Sequence, residues 1–446
     1  MSNLRVLALW LSVLACLLAG CPALRAQDIP NPLTASELSV KTLPNGLRLV
    51  IREDHSLPLV AMVVVVRAGS AVEANTRGIA HYLEHLVFQG TKRYPTALGP
   101  EAALEQAGGV SNAVTSRDMI RFQASAPSSQ LSLLVNVLAD VALAPKLDER
   151  SFRNERSTIL AEIQQDEDNP LYTLFGRAYD LTYRTHPYRH APTGSIDDVL
   201  GLTADDVQAF YQRWYVPNNM SVVLVGDLTQ EQAMQLMQQA FGAAKSAKLP
   251  DLPPAEAPAA DQPARAHIAR NLPDTYQVLA FPTPASNNLP ALLATDVLMT
   301  LLADGGDALL PAWWARDGVT VERFGIEFVS SREPGRFLLW AQTDARMAVK
   351  LRESTRELLH SLATNPIPPA TLALAKQRLA GQFLLENETY TQQAATLAFY
   401  EGLGDAQLMC RYIPTLQSLT AEQVQAAIPA PLLGWVTVGK RPEGEE

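Results

Sequence analysis

The sequence predicts an α+β fold in two similar halves, each a mostly antiparallel sheet packed with helices. Two observations carry this. Short apolar strands and amphipathic helices follow one another as strand, helix, two strands, helices and closing strand, and the second half runs through that order again without a residue-level repeat. Between the halves, Lys248–Arg265 sets Pro250, Pro253, Pro254, Pro258 and Pro263 among alanines and acids, a semi-extended linker that marks a domain boundary. The expected units are residues 1–26, 27–247, a linker at 248–266, and 267–446.

Residues 1–26 read as a signal segment. Arg5 precedes an apolar run, Val6–Leu18, that is short for a membrane span of ~20 residues and suits a signal core. Leu18-Ala19-Gly20-Cys21 resembles a bacterial lipobox, which would leave Cys21 lipidated and the protein anchored, with the outer membrane as the expected site. A cut after Ala26 is the alternative. Either route exports the chain to a bacterial periplasm.

Leu43-Pro44-Asn45-Gly46-Leu47 is a hairpin turn between strands Leu38–Thr42 and Leu47–Arg52. Leu59–Val66 is a continuous apolar, valine-rich run and reads as a central strand. A helix follows around residues 79–87, then a short one over Pro100–Gln106, and Val114–Ala126 reads as one strand. Leu131–Ala144, Asp148–Asp166, Thr203–Trp214 (capped by Thr203 with Asp206) and Thr229–Phe241 are helices, and Ser221–Val225 is a strand. His186 and His190 flank Pro187 and read as loop histidines. In the second half, Thr275–Phe281, Gly325–Ser330, Phe337–Gln342 and Trp435–Val438 are strands, and Leu289–Leu302, Ala348–Thr364, Pro369–Asn387 and Thr420–Ala427 are helices.

The 446 residues are 47% hydrophobic and 18% charged, a globular balance, and the net charge of −10 argues against a nucleic-acid partner. Of three cysteines, Cys16 and Cys21 lie in the leading segment, so Cys410 stands alone and no disulfide framework is expected.

The chemistry concentrates in His81-Tyr82-Leu83-Glu84-His85. On a helix the two imidazoles lie about 40° apart and Glu84 about 60° from His81, all on one side. Two imidazoles and a carboxylate so placed form half of a zinc site, with the carboxylate as general base. With only 7 His in the chain, this pairing is informative. The pattern needs a third protein ligand, best sought on Asp148–Asp166, where Glu155 and Glu162 share a face. Glu162 sits among apolar neighbours, where a carboxylate needs a partner. Glu155 by itself reads as the solvated edge of an amphipathic helix.

His-x-x-Glu-His, followed 77 residues after His85 by Glu162 with Glu155 seven before it, resembles the pitrilysin family, which includes insulin-degrading enzyme and mitochondrial processing peptidase. Asn112-Ala113-Val114-Thr115, His186-Pro187-Tyr188, Trp214–Asn219 and Val225-Gly226-Asp227 extend the resemblance over most of residues 38–245. It implies a processing-peptidase-like fold, zinc on His81, His85 and Glu162, Glu84 as base and Glu155 as a supporting catalytic acid. Asn112, Ala113 and Val114 would lie on an edge strand that pairs with an extended peptide substrate. Active members also carry, in the second half, an Arg followed seven residues later by a Tyr that hold substrate. Here Trp314 and Val321 align with that pair on Gly318. The expectation is therefore a zinc metalloendopeptidase that works as the catalytic subunit of a heterodimer, a homologous non-catalytic subunit supplying Arg and Tyr. A self-sufficient homodimeric peptidase and a non-catalytic zinc-containing assembly subunit are the alternatives.

Overall fold

The computed structural model describes residue 31 and residues 33–252 and 263–445. The expected signal segment, Cys21 included, lies outside the described residues, as does most of the linker.

The first half opens with β1 (Leu38–Thr42), β2 (Arg48–Glu53) and β3 (Leu59–Val66). Then come α1 (Ile79–Val87), α2 (Gly99–Gln106), β4 (Val110–Thr115), β5 (Ile120–Pro127) and α3 (Leu131–Leu143). It closes with α4 (Glu149–Asp168), α5 (Pro170–Thr182), α6 (Ile196–Gly201), α7 (Ala204–Trp214), β6 (Met220–Gly226) and α8 (Gln230–Phe241). The second half runs β7 (Ala264–Ala269), β8 (Thr275–Pro282), α9 (Leu289–Ala303), α10 (Leu309–Arg316), β9 (Arg323–Phe328) and β10 (Arg336–Thr343). It ends with α11 (Ala348–Thr364), α12 (Pro369–Leu385), α13 (Tyr390–Leu403), α14 (Leu408–Ser418), α15 (Ala421–Ala426) and β11 (Gly434–Gly439).

The first sheet has the order β1-β2-β6-β3-β5-β4 and the second β7-β11-β8-β10-β9. Without β1 the two orders correspond strand for strand. Each contains a single parallel pair, β2 with β6 and β7 with β11, and is otherwise antiparallel. The two-half α+β architecture is therefore present. The first strand of the second sheet, Ala264–Ala269, begins inside the expected linker, whose last three residues, Ala264–Ala266, it takes up.

The unbroken apolar run of β3 has a direct cause: both faces of the sheet are covered. Val60, Met62, Val64 and Val66 pack into a core with α1, α3, α4, α7 and α8, while Ala61, Val63 and Val65 face a second core containing Ala394, Leu397 and Ala398 of α13. α13 thus belongs by sequence to the second half and by packing to the first sheet. α5 makes the reciprocal exchange, burying Leu174, Ala178 and Tyr179 against Val278, Ala280, Val436 and Val438 of the second sheet. The two halves are joined by these traded helices.

One ion cluster around a buried carboxylate pins α13 in place. Glu401, fully buried, accepts from Arg48 Nε at 2.6 Å, Arg67 Nη2 at 2.8 Å and Ser221 Oγ at 2.8 Å. The expected single strand over Val114–Ala126 is instead two, β4 and β5, folded back at Ser116–Met119. Ser116 drives the reversal: its N–H and hydroxyl both donate to the Met119 carbonyl, each at 2.9 Å. The hairpin leaves β4 paired on one side only, as an edge. Cys410 is buried and forms no disulfide among the described residues, and burial pushes its thiol up to about 11.

Candidate metal centre

The centre is built on α1. The chain enters the helix through Gly78 at φ +79, where an added Cβ would lie 2.7 Å from the Thr193 carbonyl oxygen. Glu73, 3% exposed, accepts from the N–H groups of Gly78 and Ala80, both at 2.9 Å, and so satisfies donors the helix start leaves free. Burial nonetheless pushes the Glu73 carboxyl up to about 8. Leu83, Leu86 and Val87 sink into the first-half core. Tyr82 stacks on Phe152 of α4 at 4.6 Å and donates its hydroxyl to the Phe152 carbonyl. That contact sets α1 against α4, so that the face carrying His81 and His85 meets the face carrying Glu155 and Glu162.

His81 Nε2 lies 3.5 Å from Glu162 Oε1, and His85 Nε2 lies 3.3 Å from Glu162 Oε2. One donor atom from each of the three residues falls within 4.8 Å of the others. These separations are long for hydrogen bonds, whose usual length is ~2.9 Å. Two imidazole nitrogens and one carboxylate converging in this way make the donor set of a zinc site with a position left open. The residues therefore fit a zinc ion, and they are the one group of His, Cys, Asp and Glu among the described residues that could hold a metal. On the far side of the ring, His85 Nδ1 faces Glu155 Oε2 at 3.3 Å. This contact fixes the tautomer that turns Nε2 toward the site. Burial alone would lower the His85 imidazole, but the Glu155 bond and the charges of Glu162 and Glu84 outweigh it and hold it above its ordinary value. Contact with His81 holds the Glu162 carboxyl below the usual range against its partial burial.

Glu84 stands apart from this triangle. It accepts from the Thr115 hydroxyl at the end of β4 and faces a cavity of about 400 Å³ together with His85, Ser111, Asn112, Ala113 and Glu155. Ala113 is partly buried beside the cavity, while Val110 and Val114 are 64% and 37% exposed on the free edge. The Glu84 carboxylate, the His85 imidazole and an unpaired strand edge thus share one opening.

The second-half positions aligned with the family's Arg and Tyr are turned inward. Trp314 of α10 is 1% exposed, donates Nε1–H to Thr355 Oγ1 at 2.9 Å and meets Phe324 edge-on at 5.3 Å. Val321 packs on the same core. His186 caps the turn Pro187–Arg189 by accepting from the Tyr188 N–H at 3.2 Å and is remote in role from the metal triangle. Sequence reasoning gave no role to Glu73, Thr115 or Tyr215. The Tyr215 hydroxyl is buried without a hydrogen-bond partner among the described residues, and burial with the Glu84 charge raises it well above its ordinary value. Thr115 and Tyr215 lie in family-like segments, but only the folded chain brings them to Glu84.

Fold and site together have the two-domain architecture of the His-x-x-Glu-His peptidases. The model of "Insulinase (Peptidase family M16)" matches residues 48–193, and that of "Peptidase M16 inactive domain" matches residues 201–379. The chain belongs to peptidase family M16. It is 27% identical over 382 residues to zinc protease PqqE of Helicobacter pylori, covering 83% of this chain and 85% of that one. It is 30% identical over 210 residues to a probable mitochondrial-processing peptidase subunit beta of Arabidopsis thaliana, spanning 47% of this chain but only 39% of that subunit. Among solved structures, a protease from Helicobacter pylori superposes with a TM-score of 0.84 at 24% identity, covering 90% of this chain and 99% of that one. The periplasmic protease PqqL of Escherichia coli matches with a TM-score of 0.70 at 19% identity over 92% of this chain and 48% of its own.

Proposed function

We propose that this protein is a zinc metallopeptidase that hydrolyses peptides or unfolded polypeptides, and that it is the catalytic subunit of a heterodimer. The observation that carries the reading is the triangle of His81, His85 and Glu162, with the unligated Glu84 carboxylate beside a free strand edge. A zinc ion held by the three residues would acidify a water and polarise the scissile carbonyl. Glu84 would serve as the base that takes a proton from the attacking water and returns it to the leaving amine, and the Thr115 hydroxyl holds that carboxylate in place. Glu155 keeps His85 in the tautomer that presents Nε2. β4 pairs with the backbone of an extended peptide, and Asn112, Ala113 and Val114 set its register across the cavity.

The heterodimer follows from Trp314 and Val321. Trp314 is buried in the second-half core and Val321 is partly buried against it, and they offer substrate neither a guanidinium nor a phenol. A homologous chain would supply that pair. The relative from Arabidopsis thaliana is itself named as a subunit, which agrees with this arrangement. Residues 1–26 support export to the periplasm with an anchor at Cys21, and mass spectrometry of the mature amino terminus separates a lipidated Cys21 from a free end at Gln27.

The test of function is cleavage of a quenched-fluorescent peptide library by the zinc-loaded chain, alone and with a homologous chain encoded beside it. Weak cleavage alone and strong cleavage together is the expected result. Full activity from the isolated chain, unchanged on dilution, would defeat the heterodimer. No cleavage under any condition, with zinc bound, would make the chain a binding or assembly subunit.

A further inference from the structure

The second half holds a cavity larger than the metal pocket, about 820 Å³ against about 400 Å³. It opens where α9, α12 and β9 meet, the counterparts by element order of α1, α4 and β4 at the metal centre, and α13 closes one side. No histidine lines it. Its charged groups are three carboxylates, Asp296, Asp304 and Glu386, against one guanidinium, Arg121.

Asp296 is the anomaly. It projects from α9, a helix otherwise apolar along most of its length, and its carboxylate has neither a hydrogen bond nor an ion pair among the described residues. Partial burial in the cavity wall, aided by the Glu386 charge, pushes this carboxyl up to about 7. Arg121 does not answer it: its guanidinium donates to the Ala395 carbonyl at 3.2 Å and lies over the Phe399 ring at 5.7 Å. Glu386 is tied to the Gln382 amide at 2.8 Å and remains exposed. A partly buried carboxylate with no partner is costly to ionise, and a cation arriving in the cavity offsets that cost. The remaining wall includes Phe324, Phe328 and Tyr400, whose ring faces suit a planar or alkyl cation.

We propose that this cavity binds an alkylguanidinium or alkylammonium group, with Asp296 as its counter-ion and Glu386 as the outer carboxylate. The volume lies in the range of small-molecule sites, ~300–1,000 Å³, and holds a whole basic side chain with part of the backbone that bears it. The group arrives as a free amine or as an arginine or lysine of a bound peptide. Binding here needs no metal, so its success or failure is separate from that of the peptidase reading.

The experiment uses the full mature chain carrying Glu84→Gln, which prevents turnover. Calorimetry measures agmatine, a short peptide with a single arginine, and the same peptide with norleucine in its place. At least one cationic probe should bind, and Asp296→Asn should weaken it about tenfold or more. Glu386→Gln changes an exposed side chain, leaves folding intact and should weaken it about threefold. The norleucine peptide should show no dependence on either variant. Agmatine binding as tightly as the arginine peptide identifies a free-amine site, whereas a clear advantage for the peptide identifies a substrate subsite. The proposal is overturned if neither cationic probe binds, or if Asp296→Asn and Glu386→Gln both leave the affinity unchanged.

Discussion

Glu155→Gln isolates the part of the metal centre that touches no metal. Glu155 Oε2 sits 3.3 Å from His85 Nδ1 on the side of the ring away from Glu162. The amide keeps the shape and removes the charge, so the imidazole loses basicity and its tautomer is held less firmly. Changes to such supporting carboxylates weaken metal affinity ~10–100-fold, or about 1.4–2.7 kcal/mol. Two features of this site fix the place in that range. The contact is longer than the usual ~2.9 Å, which favours the low end. The Glu155 side chain is only 12% exposed, so water replaces it poorly. The expected loss is about tenfold. Competition against a chromophoric chelator gives the zinc dissociation constant, and circular dichroism confirms that the fold is kept. An unchanged constant would mean that Glu155 does not support His85. Complete loss of zinc, as expected for Glu162→Gln, would mean that Glu155 is itself a ligand.

Three further outcomes follow from the same geometry. Glu84→Gln should keep zinc and lose turnover by ~10²-fold or more, and loss of zinc instead would move Glu84 into the ligand set. Glu401→Gln leaves Arg48 and Arg67 facing a neutral group inside the interface, at a cost of about 3 kcal/mol and roughly 5 °C or more in Tm by calorimetry. Burial would raise the Glu401 carboxyl, but Arg48, Arg67 and Ser221 outweigh it and hold it below its ordinary value. Its contribution is therefore complete above the unfolded pKa of ~4.3 and is lost as pH falls through the lower folded value, so the variant should flatten the acid limb of the stability curve. Gly78→Ala forces a side chain to φ +79 against the Thr193 carbonyl, with strain of ~1–3 kcal/mol, and zinc affinity should fall because the entry to α1 must shift; unaltered affinity would show that the helix start is not fixed there.

Local pattern made much of this protein legible. The spacing of His81, Glu84 and His85 requires one helical face, and α1 supplies it. The valine run of β3 requires a strand covered on both sides, and it has that. Thr203 with Asp206 starts a helix because the reciprocal cap is complete within four residues. The break between β4 and β5 was not legible, because Ser116–Met119 contains neither Gly nor Pro and the turn is made by one serine.

What the sequence alone determined are features whose cause lies within one turn or one strand: the helix presenting the imidazoles, the caps, the apolar strands and the two-half order. What only the tertiary structure decided are contacts between residues far apart in the chain. Glu401 and Arg48 stand 353 positions apart, and no periodicity marks either. α5 and α13 are ordinary helices by local pattern, yet each packs on the sheet of the other half. The edge character of β4 beside Glu84, the closure of Glu155 on His85, and the placing of an unpartnered Asp296 on a cavity wall are equally matters of which surfaces meet. The physical reason is one of range. Backbone hydrogen bonds and side-chain spacing act over a few residues and are written in the local chain, whereas burial and charge pairing depend on distance in space, which exists only once both sheets have formed.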